Sequence, residues 1–164
     1  MKNYKKGIFV FSWIAVILWM ALIFNLSAQP AAESDGLSKR VTEVIVEAVS
    51  RVVSVSTDIS QISNMAEDLH HWVRKYAHFF VYFILAMLLM NALRKSKLSK
   101  TQLFLLVLGS CIFYAIMDEW HQSFVPGRSA QLSDVFIDSI GAVLGIGLYN
   151  LLTFMLLRFT STND

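Results

Sequence analysis

Two clusters of ionisable residues in this chain stand at spacings that could do chemistry. The first is Lys75, His78 and Tyr82, at i, i+3 and i+7, which share one face if the segment is helical. The second is the stretch from Asp118 to Asp138, DEWHQSFVPGRSAQLSDVFID, which holds Asp118, Glu119, Gln122, Arg128, Asp134 and Asp138 between two apolar runs. A histidine beside carboxylates is the usual pairing for general acid–base or nucleophilic work. Lysine and arginine suit an anion, arginine by bidentate contact and lysine as a point charge. The pattern therefore assigns acid–base roles to His78, Asp118 and Glu119. Substrate contacts fall to Lys75, Arg128, Gln122, Tyr82, Asp134 and Asp138, with Ser27 and Gln29.

Each residue also has a plainer reading. A lysine at a helix end can snorkel, a tyrosine can belong to an interfacial belt, and Asp134 can complement a helix dipole. Asp138 and His78 have no such explanation, because an ionisable group inside an apolar span needs a partner.

The elements that must position these residues are membrane spans. Of 164 residues, 55% are hydrophobic and 16% charged, too little charge for a soluble domain of this length. Four apolar runs are expected to cross the bilayer, at about 7–26, 72–93, 101–117 and 134–157. The run from Gly7 to Leu26 exceeds a signal-peptide core and contains Trp13 and Trp19, so it reads as an uncleaved helix. Asn64 and Glu67 look like the start of the second helix, and Ser133 like the N-cap of the fourth. Pro126-Gly127 fits a tight turn that would fold Arg128 back over the pocket. Gly141 and Gly145 stand at a small-xxx-small spacing that permits close helix approach, which is a packing role. The single cysteine, Cys111, excludes an intrachain disulfide and a cysteine-based metal site.

Between the first two spans lies a polar insert, about 27–70. Within it Leu37, Val41, Val44, Ile45, Ala48, Val52 and Val55 recur at helical spacing, opposite Lys39, Glu43, Glu47 and Arg51. It reads as an amphipathic helix resting on the bilayer surface or the bundle, with a lid over the site as the sharper alternative. Eight basic residues and one acid fall in the N-terminus, the 94–100 loop and the C-terminus, against six and eleven elsewhere. The positive-inside rule then places both termini in the cytoplasm and the site outside, in a plasma membrane. The expected fold is an all-α four-transmembrane-helix bundle over residues 1–164, with an extracytoplasmic amphipathic segment.

The pieces FNLSAQP, RKYAHFFVYFILAMLLM, DEWHQSFVPGRSAQLSDVFID and IGAVLG resemble, in order and spacing, the VanZ-like family of small bacterial membrane proteins. That family carries a serine–glutamine pair after the first helix, a K-x-x-H-F-x-x-Y signature and a D-E-x-x-Q…P-x-R…D pattern. The matching positions are Ser27, Gln29, Lys75, His78, Tyr82, Asp118, Glu119, Gln122, Arg128 and Asp134. Two departures stand out: many members have asparagine where Asp138 stands, and a carboxylate where Val81 stands. The resemblance implies a role in envelope biology, the family's namesake being linked to resistance to the glycopeptide teicoplanin.

Four readings of the site follow. It is an enzyme on a lipid-linked anionic envelope substrate, or a non-catalytic binder or transporter of an envelope lipid or antibiotic. A zinc site on His78 with Glu119, Asp118 or Asp134 is the third, disfavoured because no two ligands stand at a recognised metal spacing and Lys75 and Arg128 would repel a cation. A polar network that only fixes helix packing is the fourth. The expected partners are membrane lipids and a lipid-linked cell-wall precursor or glycopeptide. Nucleic acid is not among them, nor is a cofactor or metal; His70, His71 and His121 read as wet residues at the boundary.

Overall fold

The structure, a computed structural model, describes residues 2–30, 36, 40, 41, 44 and 59–161. Four helices carry the chain: α1 Lys2–Ser27, α2 Ile59–Leu93, α3 Lys100–Gln122 and α4 Leu132–Ser161. Among the described residues there is no strand. Each helix contains a span long and apolar enough to cross a bilayer: Lys6–Ser27, Lys75–Leu93, Lys100–Gln122 and Leu132–Arg158. The shortest, of 19 residues, covers about 28 Å at ~1.5 Å per residue, close to the hydrocarbon thickness.

The distribution of polarity is that of a membrane protein. Phe11, Phe113 and Leu156 are more than 60% exposed, whereas Asp118, Glu119, Gln122, Asp134 and Asp138 are at most 5% exposed. In water this arrangement would cost far too much. In lipid it is the expected one, with apolar side chains facing the tails and ionisable groups turned into the bundle.

Helices α2 and α3 lie between α1 and α4: α1 packs on both, and so does α4. The core runs along their facing stripes, through Val16 and Ile23 of α1, Tyr82, Leu85, Ala86 and Leu89 of α2, Val107, Cys111 and Ala115 of α3, and Ala142 and Ile146 of α4. Their i, i+3/i+4 spacing is one helical face in each case. The α2–α4 contact is the most intimate, because a Cβ at Gly141 or Gly145 would collide with the carbonyl oxygen of Phe79 or Phe83. The small-xxx-small spacing is thus a packing device, as its sequence indicates.

Hydrogen bonds tie α1 into the bundle at three depths. Asn91 Nδ2 donates to Ser12 Oγ at 3.2 Å, Trp19 Nε1 to the Val81 carbonyl at 2.8 Å, and Tyr114 Oη to the Met20 carbonyl at 2.7 Å. The basic run after α2 is exposed, and Ser99 closes it with a capping box: its Oγ accepts from Gln102 N and its own N–H donates to Gln102 Oε1.

Three sequence expectations are corrected at the helix ends. The α2 backbone is already helical at Ile59, so Asn64 lies within the helix and does not cap it. Helix α3 continues past Glu119 to Gln122, one turn beyond the expected end, because the polar residues there turn inward and remain shielded. Helix α4 starts at Leu132, which places Ser133 inside the first turn, where its Oγ bonds Asp134 Oδ1 at 3.1 Å and Gln131 Oε1 at 3.4 Å. The amphipathic segment and lid expected over 37–55 lie outside the described residues, save Arg40, Val41 and Val44, whose backbone is helical.

Candidate functional site

The end of the bundle formed by the C-termini of α1 and α3 and the N-terminal halves of the α2 and α4 spans gathers the polar residues. Antiparallel connection brings these ends into one layer. The α3–α4 link then folds tightly: Arg128 N donates to the Val125 carbonyl at 3.1 Å across Pro126-Gly127, and Gly127 has φ of 76°. Proline at the second position and a positive-φ glycine at the third are the signature of a type II turn. The turn delivers Arg128 half-buried at this end of the bundle, with its Nε out of solvent.

Two polar branches meet there. In the first, Asp118 Oδ2 accepts from Ser27 Oγ at 2.8 Å and from Gln122 Nε2 at 3.1 Å, joining the ends of α1 and α3. Glu119, next in sequence and so about 100° around α3, reaches the other way, and its Oε2 accepts from the Gln131 backbone N–H at 2.7 Å. This last bond fixes the entry into α4, and no side-chain pattern could have revealed it.

The second branch joins α2 to α4. His78 Nδ1 stands 3.8 Å from Asp138 Oδ1, with the His78 side chain 14% and the Asp138 side chain 1% exposed. At that separation the pair is an ion-pair contact longer than a hydrogen bond. The sequence groups His78 with Asp118 and Glu119 as the acid–base residues. The carboxylate in contact with Nδ1 is that of Asp138, while Asp134 and Asp118 act on the ring electrostatically from further away. Tyr82, fully buried one turn below His78, lies within electrostatic range of both Asp118 and Asp138, which bridges the two branches. His78, Tyr82, Asp118, Glu119, Gln122, Asp134, Asp138 and Ser27 are thus brought together.

Two sequence-derived residues stand apart. Lys75 lines a groove with Trp72, Tyr76, Phe79, Ile137 and Ile140 on the flank of the α2–α4 seam. Gln29 lies in a bend two residues past α1, half-buried, with no hydrogen bond to the cluster among the described residues. His121, read as a wet residue, is half-buried, and its ring packs edge-on against Phe24 at 4.4 Å between centroids.

Among the described residues, six buried atoms of the cluster have no hydrogen-bond partner: His78 Nδ1, Tyr82 Oη, Asp118 Oδ1, Glu119 Oε1 and both carboxylate oxygens of Asp138. Buried polar atoms are normally satisfied, so such a concentration makes this end of the bundle the candidate site. Among the described residues no group of three or more His, Cys, Asp or Glu side chains is arranged to hold a metal ion.

A four-span bundle that buries a histidine, a tyrosine and four carboxylates at one end defines a multi-pass membrane protein with a shielded polar site. A comparison with known families matches residues 11–154 to VanZ/LLP1, and the chain belongs to that family. The matched range runs from the middle of α1 into α4 and contains every residue of the site. No curated protein and no solved structure matches the chain.

Proposed function

We propose that this protein acts in the bacterial cell envelope as an enzyme on a lipid-linked anionic substrate, with its polar site facing outward. The observation that carries this reading is the His78–Asp138 pair, largely shielded inside a bilayer-spanning bundle, with the Nδ1 and both carboxylate oxygens lacking a hydrogen-bond partner among the described residues. A histidine beside a carboxylate in a shielded site can take and return a proton. In that role Asp138 orients and stabilises the imidazolium. Asp118 is held by Ser27 and Gln122 as a fixed negative charge nearby. Arg128, delivered by its turn to the same end, supplies positive charge for the anionic group. The outward orientation is supported by the eight basic residues in the two termini and the 94–100 loop. The envelope role, and with it a response to glycopeptide antibiotics, is supported by family membership.

One observation favours a non-catalytic binder or transporter instead. The Ser27 hydroxyl donates to Asp118 and the Ser133 hydroxyl bonds Asp134, and neither is engaged by His78 among the described residues. Neither hydroxyl is therefore set up by His78 as an activated nucleophile.

The two readings separate in one experiment. Purified protein is reconstituted into vesicles made from extracted bacterial envelope lipids, and the lipids are followed by mass spectrometry. The enzyme reading expects a new lipid species with the intact protein and none with His78→Ala. Stoichiometric retention of one lipid without any new species would establish the binder and overturn the enzyme.

A further inference from the structure

Lys75 lies outside the carboxylate cluster, and its surroundings have a chemistry of their own. On the flank of the α2–α4 seam it shares a groove of about 160 Å³ with Trp72, Tyr76, Phe79, Ile137 and Ile140. The exposed lining is wholly hydrocarbon, Lys75 contributing its methylene stem. An open groove of this size has room for a short stretch of one acyl or prenyl chain. The groove exists because of the glycines. Gly141 lets α4 press against the Phe79 carbonyl, and the ridge side chains on either side of that contact then wall a furrow.

Three features give the occupant a chemical character. The groove lies where the candidate span Lys75–Leu93 begins, the level at which a lysine stem is expected to carry its amine to the headgroups. Trp72 and Tyr76 are 54% and 58% exposed with their rings 6.1 Å apart, the pair of amphipathic rings expected at headgroup level. The groove also adjoins the site on both of its walls. Phe79 follows His78 on α2 and Ile137 precedes Asp138 on α4, so each wall lies one residue around the helix from the buried pair.

From this we infer that the groove seats one chain of an anionic membrane lipid, whose phosphate is held by Lys75 and whose headgroup is presented to His78 and Asp138. A cation at headgroup depth above a hydrocarbon furrow complements an anionic lipid on both counts and a zwitterionic one on only one. This names a lipid subsite for the function proposed above and rests on that reading only for what happens to the bound lipid.

The test measures binding without turnover. Full-length protein is placed in nanodiscs of equal phosphatidylglycerol and phosphatidylethanolamine, extracted gently, and its retained lipids are counted by native mass spectrometry. The expected result is one retained lipid, with phosphatidylglycerol favoured about fivefold, the preference that the attraction of one lysine to a net anionic headgroup over a zwitterionic one supplies. Lys75→Gln should bring that preference close to unity, whereas Lys97→Gln, in the exposed loop after α2, should leave it unchanged. Ile140→Trp, which fills the groove, should reduce retention of both lipids. Equal retention of the two lipids, or a preference that survives Lys75→Gln, would reduce the groove to ordinary annular contact and overturn the subsite. Displacement of the phosphatidylglycerol by millimolar inorganic phosphate would assign Lys75 to a free anion and overturn it equally. Retention with no turnover would leave the subsite standing and remove only the enzymatic reading.

Discussion

Substituting Gly141 by alanine places a Cβ against the backbone of the neighbouring helix, 3.1 Å from the Phe79 carbonyl carbon and closer still to its oxygen. Gly145 meets Phe83 in the same way, one turn further along. Because the obstacle is main chain, no rotamer change relieves it, and α2 and α4 must separate by roughly 1 Å to restore van der Waals distance. Overpacking of that kind costs about 1–3 kcal/mol. For a chain of this size that is a fall in thermal midpoint of about 3–10 °C. The chain supplies its own reporter. Cys111 is the single cysteine and is 1% exposed in the core, so a thiol-reactive fluorescent dye should label it only on unfolding. Gly109 and Gly147 are internal controls, since a Cβ at either meets nothing within 4 Å. Alanine there should raise the midpoint, through about 0.5–1 kcal/mol of recovered helix propensity. The predicted signature is opposite signs: down for Gly141→Ala and Gly145→Ala, up for Gly109→Ala and Gly147→Ala. Equal midpoints across the four would refute the close α2–α4 contact and, with it, the placement of His78 against Asp138.

Three further outcomes follow from the same contacts. Asp138→Asn removes a buried charge whose two oxygens have no hydrogen-bond partner. The variant should accumulate in the membrane and melt no lower than the parent while turnover slows, and a large drop in midpoint would instead assign Asp138 to packing. Ser27→Ala deletes the 2.8 Å bond to Asp118 and should cost about 1.5–3 kcal/mol, the usual weight of a hydrogen bond to a charged group; an unchanged midpoint in the dye assay would speak against an ionised Asp118. Ser99→Ala breaks the capping box at the start of α3 and should cost about 1 kcal/mol with no effect on the lipid bound, so a loss of lipid would contradict its purely structural role.

The spans were legible because length and apolar runs alone specify them. The buried acids were legible too, for a negative reason: Asp138 stands inside an apolar run with nothing in the sequence to excuse it. What periodicity could not supply is which groups meet. Helical phase puts Lys75, His78 and Tyr82 on one face, yet Lys75 ends beside Ile137 and Ile140, while Tyr82 ends beneath the carboxylates. A shared face fixes direction around one helix; the partner depends on the height and tilt of the next, which Gly141 and Gly145 set. The same limit explains the reassignment of the His78 partner from α3 to α4. Asp118 and Glu119 had the more conspicuous adjacent pair, but Ser27, Gln122 and the Gln131 backbone already engage them. The bonds from Trp19 and Tyr114 to main-chain carbonyls are illegible for a related reason, since an acceptor common to every residue leaves no trace in sequence.

The account turns on His78 as a working acid–base group inside a folded bundle. Its most direct test is lipid turnover by His78→Gln in vesicles of envelope lipid, at a folded fraction matched to the parent by protection of Cys111. A protein that stays folded and retains its lipid but forms no new lipid species is the predicted result. Undiminished product formation by His78→Gln would contradict it.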